Sequence, residues 1–365
     1  MSKPTPPPID ATAPLRVNEQ LDLLATPAAQ LQDAAHAWFG ECKGAGFARR
    51  IHRQAVCEGV FEPEALGAGP RAASMWRQRV SLQLPVSVDD QREPGEHGEI
   101  QKRLLRLHDA RSVESVSLPM GHGRRSLCVS TQVGCARACT FCETGRMGLL
   151  RNLTAGEIVA QVTMQRRLSS VDQIVFQGMG EPLDNLEALL PAMQVLTDPA
   201  GLSLAHDRLT VCTVGHVPGI DALRQLGWKR LGLSLSLNSA DDDRRADLMP
   251  HSVRYSLGDI QASLIAYRQR KNMALGIHWC LLPDINNSAR DADQIAQFIK
   301  PLGRTFVHVI PFNPGTEPIT RAPHEHEIVT FVGMLRDRGI AVRRRITKGR
   351  SVMAGCGQLG ATQSR

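Results

Sequence analysis

The spacing of hydrophobic positions changes along the chain and divides the sequence into two parts. Within residues 28–95, apolar side chains recur every three to four positions, which predicts helices. The predicted helices are Ala28–Cys42, Phe47–Val60 and Ala72–Leu82. From Ser126 onward, short apolar runs rich in β-branched residues alternate with helical patterns. This alternation is typical of a parallel sheet whose strands are joined by helices.

The second part contains six strand–helix repeats. The predicted strands are Leu127–Val133, Gln173–Gln177, Leu209–Thr213, Leu231–Leu237, Ala274–Leu282 and Phe306–Pro311. The predicted helices are Ala155–Leu168, Leu186–Leu196, Gly219–Leu226, Leu257–Tyr267, Ala289–Ile299 and His326–Arg338. A last strand is predicted at Ile340–Ile346, and two strands, Arg103–Leu107 and Val113–Leu118, precede the repeats. Six repeats predict a barrel or partial barrel whose reacting groups lie in the loops after the strands.

The remaining segments are predicted to connect or precede these elements. We expect residues 1–27 to form a flexible leader and the polar stretch Val86–Gly98, with its Pro-Gly pair, to be a linker. Met1–Pro14 is rich in Pro and Thr and has no apolar core, so it does not resemble a signal peptide or an anchor. No apolar run reaches the length of a membrane span. We therefore expect a cytoplasmic protein with no membrane partner.

Composition narrows the class of protein. Hydrophobic residues make up 42% and charged residues 22%, as in an ordinary globular protein. The net charge of +7 is compatible with a polyanionic partner, although such an excess is also common on solvated surfaces. Aromatic residues, at 4%, are too few to favour a base-stacking platform. Nine cysteines in a protein without a secretion signal favour metal or redox chemistry over a disulfide framework.

Three cysteines follow the first predicted strand of the repeats. Cys135, Cys139 and Cys142 are separated by three and two residues, which is the spacing of radical S-adenosylmethionine (SAM) enzymes. Three thiolates leave one iron of a [4Fe–4S] cluster open for SAM. The alternative is a structural zinc site, which needs a fourth ligand close by. The loop contains no His, and Cys128 lies seven residues earlier in the strand. The spacing and its position therefore favour one [4Fe–4S] cluster.

Polar residues end several of the later strands. After the second strand comes Gly178-Met-Gly-Glu-Pro182, in which glycines allow close approach of a ligand and Glu181 offers an acceptor to an ammonium group. On its own, this stretch is also an ordinary strand-to-helix turn. Ser236–Asn238 and Asn313 end two further strands. Because all these positions lie at the same end of a parallel barrel, together they predict one ligand site.

Several separated motifs together resemble the RlmN/Cfr family of radical SAM RNA adenine methyltransferases. They are Leu127–Cys135, the cysteine triplet, the Gly178–Pro182 stretch and Gly355–Leu359, and the resemblance extends from about Ala28 to Leu359. It implies an α/β fold, a radical SAM partial (β/α)6 barrel with a small helical N-terminal accessory domain that helps to hold RNA. The implied divisions are a leader 1–27, an accessory domain 28–95, a core 99–350 with its preceding hairpin, and a C-terminal segment 351–365.

The resemblance also assigns roles to residues. Cys135, Cys139 and Cys142 would ligate the cluster, Cys356 would carry the methyl group as S-methylcysteine, and Cys128 would form a transient disulfide with Cys356. Glu114 would be the proton acceptor. The implied SAM-binding residues are Gly180, Glu181, Cys212, Ser236, Leu237, Asn238 and Asn313. The family commonly has Ser where this chain has Cys212 and His where it has Asn238, so the RNA target is left open. Cys42, Cys57 and Cys280 are interpreted as incidental thiols.

The implied reaction is methylation of adenine C2 in RNA, with 23S ribosomal RNA as the first candidate and transfer RNA as the second. It would use two SAM molecules per turnover, an external electron donor such as flavodoxin, and a monomeric enzyme. Methylation at C8 is the nearest alternative. A radical SAM enzyme acting on a peptide or small molecule would need neither Cys356 nor the basic N-terminal region. A regulatory protein that has lost turnover would not need the full set of thiols that this chain retains.

Overall fold

The computed structural model describes residues 16–17, 20–40, 45–252, 254–268, 273–345, 349 and 352–360. The helices are α1 Ala28–Phe39, α2 Ala45–Glu58, α3 Pro70–Arg79, α4 Glu143–Arg146, α5 Ala155–Arg166, α6 Leu186–Thr197, α7 Val217–Gln225, α8 Asp242–Leu248, α9 Leu257–Tyr267, α10 Ala289–Ile299 and α11 Glu325–Asp337. The strands are β1 Arg16–Val17, β2 Gln20–Asp22, β3 Val80–Ser81, β4 Val86–Glu93, β5 Ile100–Arg106, β6 Ser112–Pro119, β7 Arg125–Val129, β8 Gln132–Gly134, β9 Leu149–Asn152, β10 Gln173–Phe176, β11 Leu209–Thr213, β12 Gly232–Ser236, β13 Leu275–Leu281, β14 Thr305–Pro311 and β15 Val342–Arg344. None of the helices in these ranges combines the length and the apolar character needed to cross a bilayer.

The chain forms two compact units that are not continuous in sequence. The first contains residues 1–85, 153–169 and 186–204, and the second contains residues 86–152, 170–185 and 205–365. The three N-terminal helices confirm the predicted helical region. The predicted division at residue 95 differs from the structure, because β4 belongs to the second unit. Helices α5 and α6 join the first unit, although they follow strands of the repeats in sequence.

Apolar side chains of the N-terminal helices and of β2 form the core of the first unit. Its fully or almost fully buried members include Leu21, Leu23, Leu31, Ile51 and Trp76. The prediction of a flexible leader up to residue 27 is therefore wrong from Gln20 onward, because β2 pairs with β3 and its leucines are buried. Residues 1–15 and 18–19 of the predicted leader lie outside the described residues.

Helices α5 and α6 are held in the first unit by polar contacts as well as packing. The Thr163 hydroxyl on α5 donates to the Val56 carbonyl at 2.9 Å. The Ala28 amide, at the start of α1, donates to the Asp198 carboxylate just after α6, at 2.7 Å. The repeat pattern predicts these two helices correctly but does not reveal which neighbours they have, since that depends on contacts between residues distant in sequence.

The second unit is built on one ten-stranded sheet in the order β15-β14-β13-β12-β11-β10-β7-β6-β5-β4. The seven strands from β7 through β10–β15 are parallel, and the other three are antiparallel. The six predicted repeats and the last predicted strand are confirmed, with shorter bounds at most ends. The sheet is open, as in a partial barrel. Because β7 and β10–β14 are parallel, their carboxyl ends lie along one edge.

The predicted linker Val86–Gly98 is instead an edge strand and a hairpin turn. Val86–Glu93 pairs antiparallel with β5, and Gly95 and Gly98 exchange backbone hydrogen bonds of 3.1 Å across the turn. Most side chains of β4 are exposed, so the strand has no apolar alternation from which it could be predicted. Its stability comes from the backbone ladder, to which polar residues contribute as well as apolar ones.

The first predicted strand of the repeats divides into β7 and β8 at Ser130 and Thr131. The backbone amides of Thr131 and Gln132 both donate to the Met179 carbonyl, which takes them out of the β7 ladder. The short β8 then pairs with β9, a strand that the sequence pattern did not predict. This change of direction carries the chain from the sheet into the cysteine loop.

Candidate active site

A cavity of about 720 Å³ lies in the second unit, at the carboxyl ends of the parallel strands and along their inner face. This volume is within the range of small-molecule and cofactor sites. Residues from β7, β10–β14 and the C-terminal segment line it. The site residues expected from the sequence can therefore be located relative to one cavity.

All three cysteines of the triplet line this cavity. Cys135 is buried, while Cys139 and Cys142 are partly exposed. Burial raises the pKa of the Cys135 thiol to about 12 and raises the pKa values of Cys139 and Cys142 as well. The charges of Cys142 and Cys135 add to the rise at Cys139, so the three sulfurs act on one another. A metal centre that replaces the thiol protons would remove this cost.

Backbone contacts hold the cysteine loop in place. The Cys135 amide donates to the Gly148 carbonyl at 2.9 Å, and the Thr140 amide donates to the Leu248 carbonyl at 3.0 Å. Gly134 precedes the loop with φ 77°, and a Cβ there would lie 1.8 Å from the Gly148 oxygen. Gly134 is therefore required both by its backbone conformation and by the close approach of Gly148.

The three cysteines fit a [4Fe–4S] cluster, in which each thiolate binds a different iron atom. Soft thiolates on one wall of a cavity are also the donor set that such a cluster requires.

The C-terminal segment 352–360 lies against the cysteine loop. The Glu143 amide, directly after Cys142, donates to the Gly357 carbonyl at 2.8 Å. The Thr144 hydroxyl donates to the Leu359 carbonyl at 2.6 Å, and the Gln358 side chain donates to the Pro314 carbonyl at 3.0 Å. These bonds bring Cys356, which is more than two hundred residues from the triplet in sequence, to the cavity wall.

Four thiols outside the triplet share the cavity. Cys128, Cys212, Cys280 and Cys356 all line it. Burial, and then the charge of Cys356, raise the pKa values of Cys128 and Cys280. Burial also raises the pKa of Cys212 to about 12. Cys356 is exposed and is electrostatically coupled to all three, so it lies close to the thiols of the inner wall.

Glu181 is buried at the end of β10. Its carboxylate accepts hydrogen bonds from the Val214 amide at 2.9 Å and from the Leu183 amide at 3.1 Å. Burial nevertheless raises the pKa of Glu181 to about 7, because desolvation outweighs these bonds. Both the acid and the carboxylate are therefore populated near neutral pH.

The glycines before Glu181 are required by packing, whether or not a ligand approaches them. A Cβ on Gly180 would lie 2.6 Å from the Gln132 side chain, and a Cβ on Gly178 would lie 2.7 Å from Ser130. Both glycines thus allow tight packing against the end of the neighbouring strand. Gly180 still borders the cavity through its backbone.

Among the other residues expected to bind SAM, Cys212, Ser236, Asn238 and Asn313 line the cavity. The Asn313 side-chain oxygen is buried and has no hydrogen-bond partner among the described residues, which suits a bound polar ligand. Leu237 does not line the cavity, because its side chain is fully buried in the core.

Glu114 also lies outside the cavity lining. It is fully buried, its carboxylate is 3.1 Å from the Lys102 ammonium, and it accepts a 2.6 Å hydrogen bond from the Gly360 amide. Glu114 therefore contacts the C-terminal segment and does not line the cavity.

Sequence reasoning did not identify a polar group inside the barrel. The Gln177 amide lies 3.2 Å from His278 Nδ1, and Arg345 lies 3.2 Å from His278 Nε2. Burial and the Arg345 charge keep the pKa of His278 well below its ordinary value, so the ring is neutral. Polar residues at inward positions of β13 were the only available signal.

Of the thiols interpreted as incidental, Cys280 lines the cavity, Cys57 lies on α2, and Cys42 lies outside the described residues.

Comparisons with known proteins identify the class of enzyme. Residues 129–271 match the model of the radical SAM superfamily. The crystal structure of a radical SAM methyltransferase from Sphaerobacter thermophilus superimposes with a TM-score of 0.83 at 32% identity, covering 93% of this chain and 99% of that one. The fold and the cysteine triplet therefore define a radical SAM enzyme, a class that uses SAM and a [4Fe–4S] cluster.

Curated relatives narrow the class. The chain is 39% identical to the dual-specificity RNA methyltransferase RlmN of Syntrophotalea carbinolica, over 79% of this chain and 76% of the relative. It is 38% identical to RlmN of Syntrophobacter fumaroxidans over 78% and 84%, and 40% identical to a probable RNA methyltransferase of Sorangium cellulosum over 81% and 74%. The chain belongs to the RlmN family of radical SAM methyltransferases.

The close packing at Gly134 predicts that glycine is required there for iron binding. We expect Gly134→Ala to bind less than about a tenth of the iron that the wild-type protein binds after anaerobic reconstitution. The reason is that the added Cβ collides with the Gly148 carbonyl, which positions Cys135. Iron content and cluster absorbance measure the effect. Gly123→Ala is the matched control, since Gly123 has a similar φ of 71° but open space around it. Equal iron binding in both variants would contradict this account of the loop.

Proposed function

We propose that the protein methylates an adenine ring carbon in RNA, C2 before C8, through an S-methylcysteine at Cys356. The observation that carries the proposal is the position of Cys356. The C-terminal segment is bonded to the cysteine loop, so this exposed thiol lies at a cavity that also contains the triplet and Cys128. A radical SAM enzyme acting on a small molecule or peptide has no need for such a thiol.

The adenine ring carbon explains why a thiol carrier is required. An amidine carbon is not nucleophilic and cannot displace a methyl group from a sulfonium directly. A cysteine thiolate is a good nucleophile, so Cys356 can take the methyl group from a first SAM by polar displacement. Its exposure leaves the sulfur open to the methyl group of an incoming SAM.

The second half of the reaction uses the other residues of the cavity. When bound, the cluster supplies the electron that cleaves a second SAM to methionine and a deoxyadenosyl radical. In our proposal a hydrogen atom leaves the methyl group on Cys356, and the resulting carbon centre adds to the base and links it to Cys356. The adduct loses one electron and the ring proton. A Cys128 thiolate then attacks the Cys356 sulfur, the bond from that sulfur to the methylene carbon breaks, and this carbon takes up a proton to become the methyl group as the disulfide forms.

The thiols also balance the electrons. Reduction of the second SAM to methionine and 5′-deoxyadenosine consumes two electrons and one proton. Oxidation of Cys128 and Cys356 to a disulfide supplies two electrons. The two amounts are equal, so one turnover, up to the disulfide, consumes no electron from outside, and the electron that starts the cleavage of SAM is released again. An external reductant must therefore restore the two thiols before the next turnover.

The ring proton requires an acceptor during this release. The family resemblance implies that role for Glu114. In the structure, Glu114 forms an ion pair with Lys102 and accepts a hydrogen bond from Gly360, whereas Cys128 lines the cavity. The acceptor is therefore either Glu114 or Cys128, and a Cys128 thiolate that takes the proton must lose it again before it attacks the Cys356 sulfur. Glu114 would have to give up its bond to Gly360 first.

Features outside the cavity support RNA as the substrate. The relatives named above are RNA methyltransferases, and helix α2 of the first unit exposes Arg49, Arg50 and Arg53. Cationic side chains on one helix suit phosphate contacts. We propose large-subunit (23S) ribosomal RNA as the first target and transfer RNA as the second, with a flavodoxin-like donor, a cytoplasmic location and a monomeric enzyme.

Mass spectrometry of the Cys356 peptide tests the first step. Cluster-loaded protein incubated anaerobically with SAM that carries a labelled methyl group should hold that label on Cys356. The Cys356→Ala variant should hold none, and Cys280→Ala should behave as the wild-type protein because Cys280 has no assigned role. An unlabelled Cys356 in protein that still cleaves SAM would refute the proposal and favour a small-molecule or peptide substrate.

The pKa of Glu181 predicts how SAM binding depends on pH. We propose that the Glu181 carboxylate accepts a hydrogen bond from the amino group of SAM. With a folded pKa of about 7, the carboxylate fraction rises roughly tenfold between pH 6 and pH 8, so the Kd for SAM should fall by up to about tenfold. Equilibrium binding of labelled SAM to cluster-loaded protein without reductant measures it.

The Glu181→Gln variant is the control for this measurement. Every other titrating group is common to both proteins, so the difference between their pH profiles isolates the carboxyl group. We expect Glu181→Gln to bind SAM more weakly at pH 8 and to lose the part of the pH dependence that is centred near 7. Parallel profiles for the two proteins would exclude Glu181 as a charged SAM contact.

A further inference from the structure

One buried ion pair is bonded to both ends of the segment that carries Cys356. Lys102 on β5 and Glu114 on β6 lie 3.1 Å apart, and their side chains are 2% and 0% exposed. The Lys102 ammonium also donates to the Met353 carbonyl at 3.4 Å. The second Glu114 oxygen accepts from the Gly360 amide at 2.6 Å. The two contacts thus lie on either side of Cys356 in the sequence.

The antiparallel register explains how the two charges meet. Leu104 pairs with Glu114 and Lys102 pairs with Val116, so Lys102 and Glu114 are diagonal neighbours on one face of the hairpin. Removing two charges from water is costly unless their remaining hydrogen-bonding capacity is also used. The backbone groups of Met353 and Gly360 use part of that capacity, and bonds to charged partners are stronger than neutral ones.

Apart from its bonds to the cysteine loop and to Pro314, the segment has few means of holding its position. It contains no helix or strand, and four of the residues around Cys356 are glycine or alanine, namely Ala354, Gly355, Gly357 and Gly360. Gly357 and Gly360 have φ values of 87° and 98°. A backbone of this composition is intrinsically mobile, so its conformation depends on outside contacts.

We propose that Lys102 is a positioning residue that acts with Glu114 as a clasp, holding residues 353–360 so that Cys356 faces the cavity. The proposal deepens the proposed function and rests on it for the meaning of the Cys356 position. The clasp itself is a statement about contacts and can be tested without turnover. It also gives Glu114 a role in the resting enzyme that differs from proton transfer.

Hydrogen–deuterium exchange of the full-length, cluster-loaded protein without SAM or RNA tests the clasp. In Lys102→Met we expect the amides of peptides covering residues 352–360 to exchange at least about tenfold faster than in the wild type. Amides of the β5–β6 ladder, followed in the same experiment, report whether the hairpin remains folded. Lys102→Arg keeps the charge and a donor and should restore most of the protection.

Gln101→Met is the matched control. Gln101 is adjacent to Lys102, equally buried, and bonded to Asp90 on β4 at 2.8 Å. Because neighbouring residues of a strand face opposite sides, this variant places the same side chain on the same strand without touching the segment. Its exchange at residues 352–360 should equal that of the wild type. Faster exchange there in Gln101→Met would overturn the assignment to Lys102.

A double variant covers the case in which Lys102→Met does not fold because Glu114 is left buried and unpaired. Lys102→Met/Glu114→Met removes both charges, which buried pairs generally tolerate better than the loss of one. A folded double variant with fast exchange at 352–360 supports the clasp. Wild-type exchange in either folded variant would overturn it, and so would failure of both to fold, since the pair would then belong to the hairpin core.

A second measurement separates the clasp from the chemistry. With SAM, reductant and RNA, a loosened segment should raise the ratio of deoxyadenosine formed to RNA methylated by at least about fivefold in Lys102→Met. If exchange responds as expected but wild-type Cys356 never acquires a methyl group, the clasp stands and the proposed function fails. If Cys356 is methylated and exchange does not respond, the proposed function stands and the clasp fails.

Discussion

The proposed chemistry depends on one packing contact, between the C-terminal segment and the loop that follows Cys142. Hydrogen bonds from the Glu143 amide to the Gly357 carbonyl and from the Thr144 hydroxyl to the Leu359 carbonyl fix that contact. It brings a thiol from the end of the chain to a cavity that the parallel strands have already built. Without it, Cys356 and Cys128 would belong to distant parts of the sequence, and the protein would retain only the parts that many radical SAM enzymes share.

Several polar or ionisable groups near this contact are buried at a cost in folding free energy. The thiols of the triplet and Cys128 have pKa values raised by burial, and the Lys102–Glu114 pair carries two desolvated charges. Asn313 keeps a buried oxygen that has no partner among the residues that the structure describes. Such features gather at sites that bind a partner, because the partner supplies what the empty site lacks. The thiols and Asn313 line a single cavity, where the cluster and SAM would satisfy them, whereas the Lys102–Glu114 pair is bonded to the C-terminal segment.

Much of this arrangement can be predicted from the sequence, for identifiable reasons. The strands β10–β14 are short segments rich in apolar residues, and the triplet follows the first of the parallel strands, so the pattern and the spacing together locate the cysteine loop. The edge strand β4 could not be predicted, because its polar side chains are exposed and its bonds are all in the backbone. Leu21, Leu23 and Leu24 are buried by helices that follow them, and the clasp at Lys102 depends on a segment some 250 residues away. Only the folded chain reveals contacts of that kind.

The most direct test of the two-thiol account is to remove Cys128 and examine Cys356 after reaction with RNA. Cys128→Ala protein, loaded with its cluster, would be incubated with SAM, reductant and deproteinised large-subunit ribosomal RNA, then digested with nuclease and protease. The account predicts a Cys356 peptide heavier by an adenine nucleotide and a methylene group, since the attack that releases the base is lost. A Cys356 peptide free of nucleotide, in a reaction that still methylates the RNA, would contradict it.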